Sequence, residues 1–189
     1  MAQSLLGKVI STNINGQLVA GRIVETEAYR ASDDKGSHAY PNKQTKRTKH
    51  QFESGGSSYI YLCYGIHHLF NVITGPEDHG HVVLVRAVEL TIGEDIARSR
   101  RNIKGSIENL TNGPGKWTQA FGITTELNNR ALYAAEATIQ LYDGEEVMMD
   151  SIVSGPRVGI AYAEECANWP WRFRIQDNKW TSKPDEVSY

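Results

Sequence analysis

Hydrophobic and polar residues alternate near the start of the chain in a way that predicts two β-strands. Residues 8–29 contain both strands, and Asn15-Gly16 between them is a strong signal for a hairpin turn. Alternation along the second strand predicts that one of its faces carries Ile23, Glu25, Glu27 and Tyr29. This face brings two carboxylates and an aromatic ring together and is the first candidate for chemistry.

Aromatic and β-branched residues after position 57 predict a second hairpin and then a central strand. Residues 58–73 supply two strands that meet at a turn over Tyr64 and Gly65. Residues 81–88 form an apolar run that is broken by Arg86. Because a buried guanidinium needs a charged partner, Arg86 is a second candidate for a functional site.

Further along the chain the pattern predicts two short helices and a third hairpin. An amphipathic helix is predicted over residues 91–103, and a second helix lies between the start and stop signals of residues 112–122. Residues 137–153 predict two strands around the turn dipeptide Asp143-Gly144. Strands therefore outnumber helices in the predicted fold.

The length and composition suit a single globular domain over residues 1–189, with 40% hydrophobic and 22% charged residues. Residues 177–189 are polar and predict a loosely held tail. No segment has the ~18 apolar residues of a membrane helix, and the N-terminus lacks the features of a secretion signal. Two cysteines are too few for a disulfide framework. We therefore expect an intracellular protein that is not secreted.

The net charge of −2 hides an uneven distribution of charge along the chain. The polar segment 30–58 is long for a connection, which is typical of a functional loop or a partly helical excursion. It carries a cluster of cations, Lys43, Lys46, Arg47 and Lys49. A second cluster consists of Arg98, Arg100, Arg101 and Lys104. Each cluster is either a contact surface for phosphates or an ordinary solvated face, and charge alone does not distinguish the two.

Several common catalytic motifs do not fit this sequence. Gly115-Lys116 lacks the earlier glycine and the following Ser or Thr of a phosphate-binding loop, and no Gly-x-Ser-x-Gly elbow occurs. Four histidines have no cysteine or acidic partner at a recognised metal-binding spacing, namely His67, His68, His79 and His81. A metal hydrolase that uses these histidines is therefore a minor alternative, and we expect no metal.

The remaining candidates are carboxylates beside aromatic rings. Either Glu25 or Glu27 is suited to act as a general base toward water. The surrounding segments offer flat rings on which a nucleobase can stack, those of Tyr29, His38, Tyr59, Tyr61 and Tyr64. The competing interpretation is that Tyr59 and Tyr61 are core residues of a strand and that Glu25 and Glu27 lie on a solvated face.

The order and spacing of these residues resemble the alkyladenine DNA glycosylase family, also called 3-methyladenine or methylpurine DNA glycosylases. The resemblance is continuous from Leu5 to about Ile175. It rests on Arg22-Ile-Val-Glu-Thr-Glu-Ala-Tyr29, then His38, Tyr59-x-Tyr61-x-x-Tyr64-Gly65, Asn71, Val83-Leu-Val-Arg86-Ala and Asn112-Gly-Pro-x-Lys116. The family resemblance implies an enzyme that flips a damaged purine out of duplex DNA and hydrolyses its N-glycosidic bond, which leaves an abasic site.

The resemblance implies a role for each residue at the reacting bond. Glu27 corresponds to the carboxylate that activates the attacking water, and Glu25 is the alternative to it. Arg86 corresponds to the arginine beside that water. No lysine matches a Schiff-base position, so we expect no lyase activity, and the family resemblance implies no cofactor.

The resemblance also implies how DNA is bound. Tyr29, His38 and Tyr61 correspond to the walls of the base pocket, and Asn71 to the residue that excludes the amino group of guanine. Tyr64 corresponds to a wedge that fills the vacated base stack. Candidate contacts to the DNA backbone are Lys43, Lys46, Arg47, Lys49 and Lys116.

The predicted fold is a single mixed α/β domain of the α+β kind, with a curved, mainly antiparallel sheet, short flanking helices and a protruding hairpin that carries Tyr64. The expected partner is duplex DNA that contains 3-methyladenine, 7-methylguanine, hypoxanthine or ethenoadenine. We expect a monomer without an obligate protein partner, in the cytoplasm near the nucleoid of a bacterium or in the nucleus of a eukaryote. A non-catalytic module that binds damaged or single-stranded DNA is the alternative function.

Overall fold

The computed structural model describes residues 1–182. The strands are β1 (Val9–Ile14), β2 (Gln17–Tyr29), β3 (Ser58–Cys63), β4 (His67–Ile73), β5 (Val82–Ile92), β6 (Ile139–Tyr142), β7 (Ile152–Gly155) and β8 (Arg172–Ile175). The α-helices are α1 (Glu94–Arg101) and α2 (Pro114–Phe121). Shorter 3-10 helices are Gln3–Leu5, Lys49–Phe52, Ile107–Leu110, Thr125–Leu127, Met149–Ser151 and Ala161–Asn168. None of the helices in residues 1–182 has both the length and the apolar character needed to cross a membrane.

All eight strands belong to one antiparallel sheet. Its main path runs in the order β3-β4-β5-β2-β1-β6. The long strand β2 pairs with β5 on one side and, on the other, first with β1 and then with β8, which in turn pairs with β7. The predicted single mixed α/β domain with a curled antiparallel sheet and few short helices is confirmed.

The two faces of β5 have different surroundings, and this separates the core from the site. Val83, Val85 and Ala87 belong to the main hydrophobic core with α2. The indole nitrogen of Trp117 on α2 donates to the Val85 carbonyl over 2.9 Å, which fixes the helix on the sheet. Val82, Leu84 and Arg86 alternate with these residues and line a cavity on the opposite face.

Two of the predicted turns are present, and each has two consecutive residues with positive φ angles. Asn15 and Gly16 both have positive φ angles, 54° and 76°, and join β1 to β2. Tyr64 and Gly65 likewise have φ angles of 50° and 73° between β3 and β4. Consecutive positive φ values match the twist of the flanking strands, which explains why both dipeptides form tight connections.

Helix α1 begins later than the sequence predicts. Residues 91–92 continue β5, because the long strand β2 still offers Ala20 as a partner for Ile92. Gly93 then has a φ angle of 86° and lies close to β2, where a Cβ atom would come within 2.6 Å of the Leu18 carbonyl oxygen. The strand therefore ends at a position that glycine tolerates, and the helix starts at Glu94.

The predicted hairpin around Asp143-Gly144 is wrong. Strand β6 pairs with β1, and β7 pairs with β8 instead of with β6. Gly144 packs directly on the backbone of Gly7. Asp143 forms an ion pair with Lys8, with 2.8 Å between Oδ1 and Nζ. These contacts to the N-terminal segment hold the chain at the Asp143-Gly144 dipeptide, so the two strands go to different partners.

The predicted loose tail is packed where the structure describes it. Asn178 donates to Glu89 on β5 over 3.0 Å, and Trp180 packs against the main core. Ser182 bonds to Glu25 on β2. Residues 183–189 of the predicted tail lie outside the described residues.

Candidate active site

Two buried carboxylates lie side by side where β2 runs between β5 and β8. Glu25 and Glu27 have no exposed surface. The Arg86 guanidinium contacts both of them, with Nε 3.3 Å from Glu25 Oε1 and Nη1 3.3 Å from Glu27 Oε2. Ile23 was predicted to share their face, but it belongs to the main core, because the register of β2 against β5 is irregular between Ile23 and Glu25.

Glu25 is surrounded by hydrogen-bond donors, as expected of a carboxylate that stabilises the fold. Its Oε1 accepts from Arg172 Nε over 2.6 Å in addition to Arg86. The Ser182 backbone N–H donates to Oε2 over 2.7 Å, and the Ser182 hydroxyl donates to Oε1 over 2.8 Å. A carboxylate has about four acceptor positions, so these contacts saturate Glu25.

Glu27 has fewer donors, and all of them come from the cavity wall. Oε1 accepts the Val158 backbone N–H over 2.8 Å, while Oε2 accepts the Tyr29 hydroxyl over 2.8 Å and Arg86. These three donors among the described residues leave one of its roughly four acceptor positions for a water molecule. Tyr29, Arg86 and Val158 also line the cavity, so the carboxylate lies directly behind its wall.

The charges of the site are balanced within it. Burial opposes the charge of Arg86, but the Glu27 and Glu25 carboxylates outweigh burial and raise the pKa of Arg86. Burial and the adjacent Glu27 carboxylate raise the pKa of Tyr29 well above its ordinary value. Tyr29 is therefore a protonated donor to Glu27, and Arg86 remains a cation between the two glutamates.

A cavity of about 770 Å³ opens beside this carboxylate. This volume falls in the range of small-molecule sites and accommodates a purine base. Its walls include the residues that the sequence analysis proposed for the base pocket, Tyr29, His38, Tyr61 and Asn71, together with Arg86. Residues from β2, β3, β4 and β5 meet there with residues from the connection between β2 and β3, which we call the 30–57 loop. Across β4, β5 and β2, the residues Asn71, Leu84 and Glu27 lie opposite one another in register.

Aromatic rings form one side of the cavity. The rings of His38 and Tyr61 are edge to face with centroids 4.7 Å apart, and Tyr59 lies 5.7 Å from Tyr61. Loss of solvent around the imidazole and, secondarily, the charge of Arg47 lower the pKa of His38 to about 4. His38 is therefore neutral at pH 7 and offers an uncharged ring to a stacked base.

Asn71 is buried at the back of the cavity with a fixed orientation. Its Nδ2 donates to the Tyr59 carbonyl oxygen over 3.1 Å. The amide is therefore held by the neighbouring strand β3, which aligns it as a rigid boundary of the pocket.

The connection between β3 and β4 carries apolar side chains into solvent. Tyr64 is 91% exposed at the turn, and Ile66 beside it is 71% exposed. Tyr64 also borders the mouth of the cavity. An exposed tyrosine in a left-handed backbone conformation on a tight turn is an unusual feature that has no packing role in the described residues.

The predicted phosphate contacts occupy two different environments. Lys43, Lys46 and Lys49 are exposed on the 30–57 loop. Arg47 turns toward the cavity, where its guanidinium lies 4.9 Å from the centre of the Tyr61 ring. Lys116 at the start of α2 also lines the cavity and donates to Asn112 over 2.8 Å.

Sequence reasoning missed the segment that covers Glu27. Val158 contributes its backbone N–H, and Arg157 before it forms a buried ion pair with Asp34 over 2.7 Å. The Arg157 guanidinium also lies 4.6 Å from the centre of the Tyr29 ring. A backbone donor has no side-chain signature, and the separation of 123 residues between Arg157 and Asp34 hides their pairing.

The four histidines considered as metal ligands belong to two separate segments, with His67 and His68 on β4 and His79 and His81 before β5. The rings of His79 and His81 are in edge-to-face contact, with centroids 5.8 Å apart. Within residues 1–182, no group of three or more His, Cys, Asp or Glu side chains has an arrangement that could hold a metal ion.

Comparison with known proteins shows the family of the chain. The sequence profile described as methylpurine-DNA glycosylase (MPG) matches residues 1–179. The chain belongs to the methylpurine-DNA glycosylase family. The family resemblance that the sequence analysis found on spaced motifs is thereby confirmed over nearly the whole chain.

Bacterial relatives of the family match along almost their full lengths. A protein of Chlamydia pneumoniae named "Putative 3-methyladenine DNA glycosylase" is 45% identical over 93% of this chain and 88% of its own length. A protein of the same name from Natranaerobius thermophilus is 43% identical over 96% of this chain and 92% of its own. Another from Bacillus cereus is 42% identical, with 97% and 93% of the two chains covered.

Proposed function

We propose that the protein is a monofunctional DNA glycosylase of base excision repair, which removes alkylated or deaminated purines from duplex DNA. Membership in the methylpurine-DNA glycosylase family supports a DNA glycosylase. The geometry that carries the finer proposal is the Glu27 carboxylate, held behind the wall of an aromatic cavity with one acceptor position left for water. The relatives compared above are bacterial, which supports action on chromosomal DNA in the cytoplasm.

In the proposed mechanism the damaged base leaves the duplex before the reaction. A base inside the stack cannot be reached, so the enzyme extrudes it, at a cost of a few kcal/mol that is smallest for damaged or mispaired bases. Tyr64 fills the space in the stack, and its 91% exposure beside the cavity mouth suits a wedge. The flipped purine then enters between the rings of Tyr29, His38 and Tyr61.

Hydrolysis follows at the sugar. Glu27 accepts a proton from the water as the water oxygen bonds to C1′, and the electron pair of the C1′–N bond leaves with the base. Arg86 holds the carboxylate in position and stabilises its negative charge until the proton arrives. An alkylated purine that carried a positive charge leaves as a neutral base, whereas a neutral purine leaves as an anion that takes a proton from solvent. The products are a free purine and an abasic site, and Glu27 returns its proton to solvent.

The proposed substrates are 3-methyladenine, 7-methylguanine, hypoxanthine and ethenoadenine. Asn71 supports selection against guanine, because its amide is fixed by the Tyr59 carbonyl and does not move aside for an exocyclic amine. An unsatisfied or clashing amine there costs roughly 1–3 kcal/mol.

A panel of labelled duplexes, each with one defined lesion, tests this function. The intact protein is expected to form abasic sites in at least one lesion duplex and to leave undamaged duplex uncut, and the abasic strand breaks only after alkali treatment. Tight lesion binding without release of any base would contradict the proposal and favour a non-catalytic DNA-binding module. Breakage of the strand without alkali would contradict the monofunctional mechanism.

Replacement of Tyr64 by alanine is expected to weaken base flipping more than chemistry. Base stacking on an aromatic side chain contributes about 1–3 kcal/mol, so the population of the flipped state should fall by about 5- to 150-fold. Stopped-flow fluorescence of an ethenoadenine duplex reports unstacking directly. The matched control is Tyr133→Ala, since Tyr133 is 79% exposed and does not line the cavity. Equal amplitudes of the fluorescence change for the wild type and Tyr64→Ala would contradict the role of Tyr64 as a wedge.

A further inference from the structure

Arg47 is exposed to solvent like the other cations of the 30–57 loop, but its side chain also lines the cavity. Its guanidinium carbon is 4.9 Å from the centre of the Tyr61 ring, and Nη2 is 3.5 Å from His38 Nε2. It thus contacts two of the three rings that are proposed to hold the flipped base. The neighbouring loop cations Lys43, Lys46 and Lys49 do not line the cavity.

Hydrogen bonds of Thr48 hold the loop backbone beside Arg47. Thr48 is 2% exposed, and its hydroxyl donates to the Lys43 carbonyl over 3.0 Å. The Thr48 hydroxyl also accepts the Thr45 backbone N–H over 2.9 Å. These contacts close a compact turn around Arg47, so its position does not depend on the guanidinium contacts alone.

Arg47 differs from three other arginines near the site in that it has no carboxylate partner among residues 1–182. The others have buried carboxylate partners: Arg86 with Glu25 and Glu27, Arg157 with Asp34, and Arg172 with Glu25. Across residues 1–182, no carboxylate lies within ion-pair distance of Arg47. Its positive charge at the rings is therefore not cancelled locally, and after burial it is the second cause that lowers the pKa of His38.

We propose that Arg47 is a specificity residue that makes the base pocket favour neutral damaged purines, such as hypoxanthine, over purines that carry a positive charge. This inference rests on the proposed glycosylase function. Aromatic faces alone attract a cationic ring, but the Arg47 guanidinium already lies over the Tyr61 ring and repels a second cation there.

Hydrogen bonding acts in the same direction as charge. The purine atoms N7 and O6 are acceptors that arginine recognises with its paired N–H groups. Hypoxanthine keeps both acceptors and is neutral. A purine methylated at N7 has lost that acceptor and carries the positive charge, so Arg47 disfavours it on both counts.

The test compares two variants that each remove one cation from the same loop. Single-turnover excision of hypoxanthine and of 7-methylguanine is measured at saturating enzyme for the wild type, Arg47→Met and the matched control Lys46→Met. Arg47→Met is expected to lower the ratio of the hypoxanthine rate to the 7-methylguanine rate by about tenfold. Lys46→Met is expected to leave that ratio within about twofold of the wild type, whatever its effect on DNA affinity. Thermal unfolding confirms that both variants are folded.

The possible outcomes distinguish a failure of the Arg47 proposal from a failure of the proposed glycosylase function. Equal losses for both lesions in Arg47→Met would assign the guanidinium to the DNA backbone and overturn the inference while the glycosylase function stands. An unchanged ratio with unchanged rates would also overturn it. If the wild type releases neither base nor any other lesion of the panel, the proposed function itself fails.

Discussion

Replacement of Glu27 by glutamine is expected to slow purine release by about 10²- to 10⁴-fold, the range that a general base contributes. Glutamine keeps the length of the side chain but cannot accept the proton of the attacking water. Its oxygen can still accept from Tyr29 and Arg86, while its amide then faces the Val158 N–H. This mismatch of two donors is expected to cost about 1–3 kcal/mol of stability.

The measurement is single-turnover excision at saturating enzyme, well below the unfolding temperature of the variant. Affinity for a lesion duplex is measured on the same preparation and is expected to stay within about threefold of the wild type. A rate within tenfold of the wild type would remove Glu27 from the role of general base. A loss of binding that parallels the loss of rate would point to misfolding instead.

Replacement of Glu25 by alanine is expected to lower the free energy of unfolding by about 3–5 kcal/mol, because it removes one side of a buried ionic network. Arg172 then loses the carboxylate that lies 2.6 Å from it, and the Ser182 N–H loses its acceptor. For a domain of this size the loss corresponds to a decrease of roughly 6–20 °C in Tm. Denaturant unfolding followed by tryptophan fluorescence measures the effect.

A double variant separates the ionic network from simple packing. Glu25→Met combined with Arg172→Met removes both charges, so it should be more stable than Glu25→Ala with its uncompensated Arg172. A loss below about 1 kcal/mol in Glu25→Ala would show that Glu25 is not the structural carboxylate of the pair. It would also weaken the contrast with Glu27 on which the site assignment depends.

The sequence predicts the parts of the fold that are fixed by local chemistry. The turns at Asn15-Gly16 and Tyr64-Gly65 are both present; asparagine and glycine are suited to positive φ, whereas Tyr64 is not. Arg86 in an apolar strand implied a charged partner, and two glutamates supply it. Where long-range contacts decide, as at Gly144 against Gly7, the local turn signal fails.

The sequence predicts which side chains belong to the site but not the contacts that distant segments and backbone groups make with them. The residues proposed for the pocket and for catalysis surround one cavity, but the structural role of Glu25 depends on Ser182, which is 157 residues away. The cover over Glu27 is a backbone N–H of Val158, which any residue except proline supplies. The contact between Arg47 and Tyr61 depends on the path of the 30–57 loop, which no local sequence motif predicts.

The most direct measurement is a crystal structure of the wild-type protein on a duplex whose damaged nucleotide carries 2′-fluorine, which slows bond cleavage. We expect the purine to be extruded and to lie against Tyr29, His38 and Tyr61, with Tyr64 in the vacated stack. We also expect a water within hydrogen-bond distance of Glu27 on the side of C1′ opposite the base. A damaged purine that stays stacked in the duplex, or a flipped purine with no water between C1′ and Glu27, would contradict the mechanism.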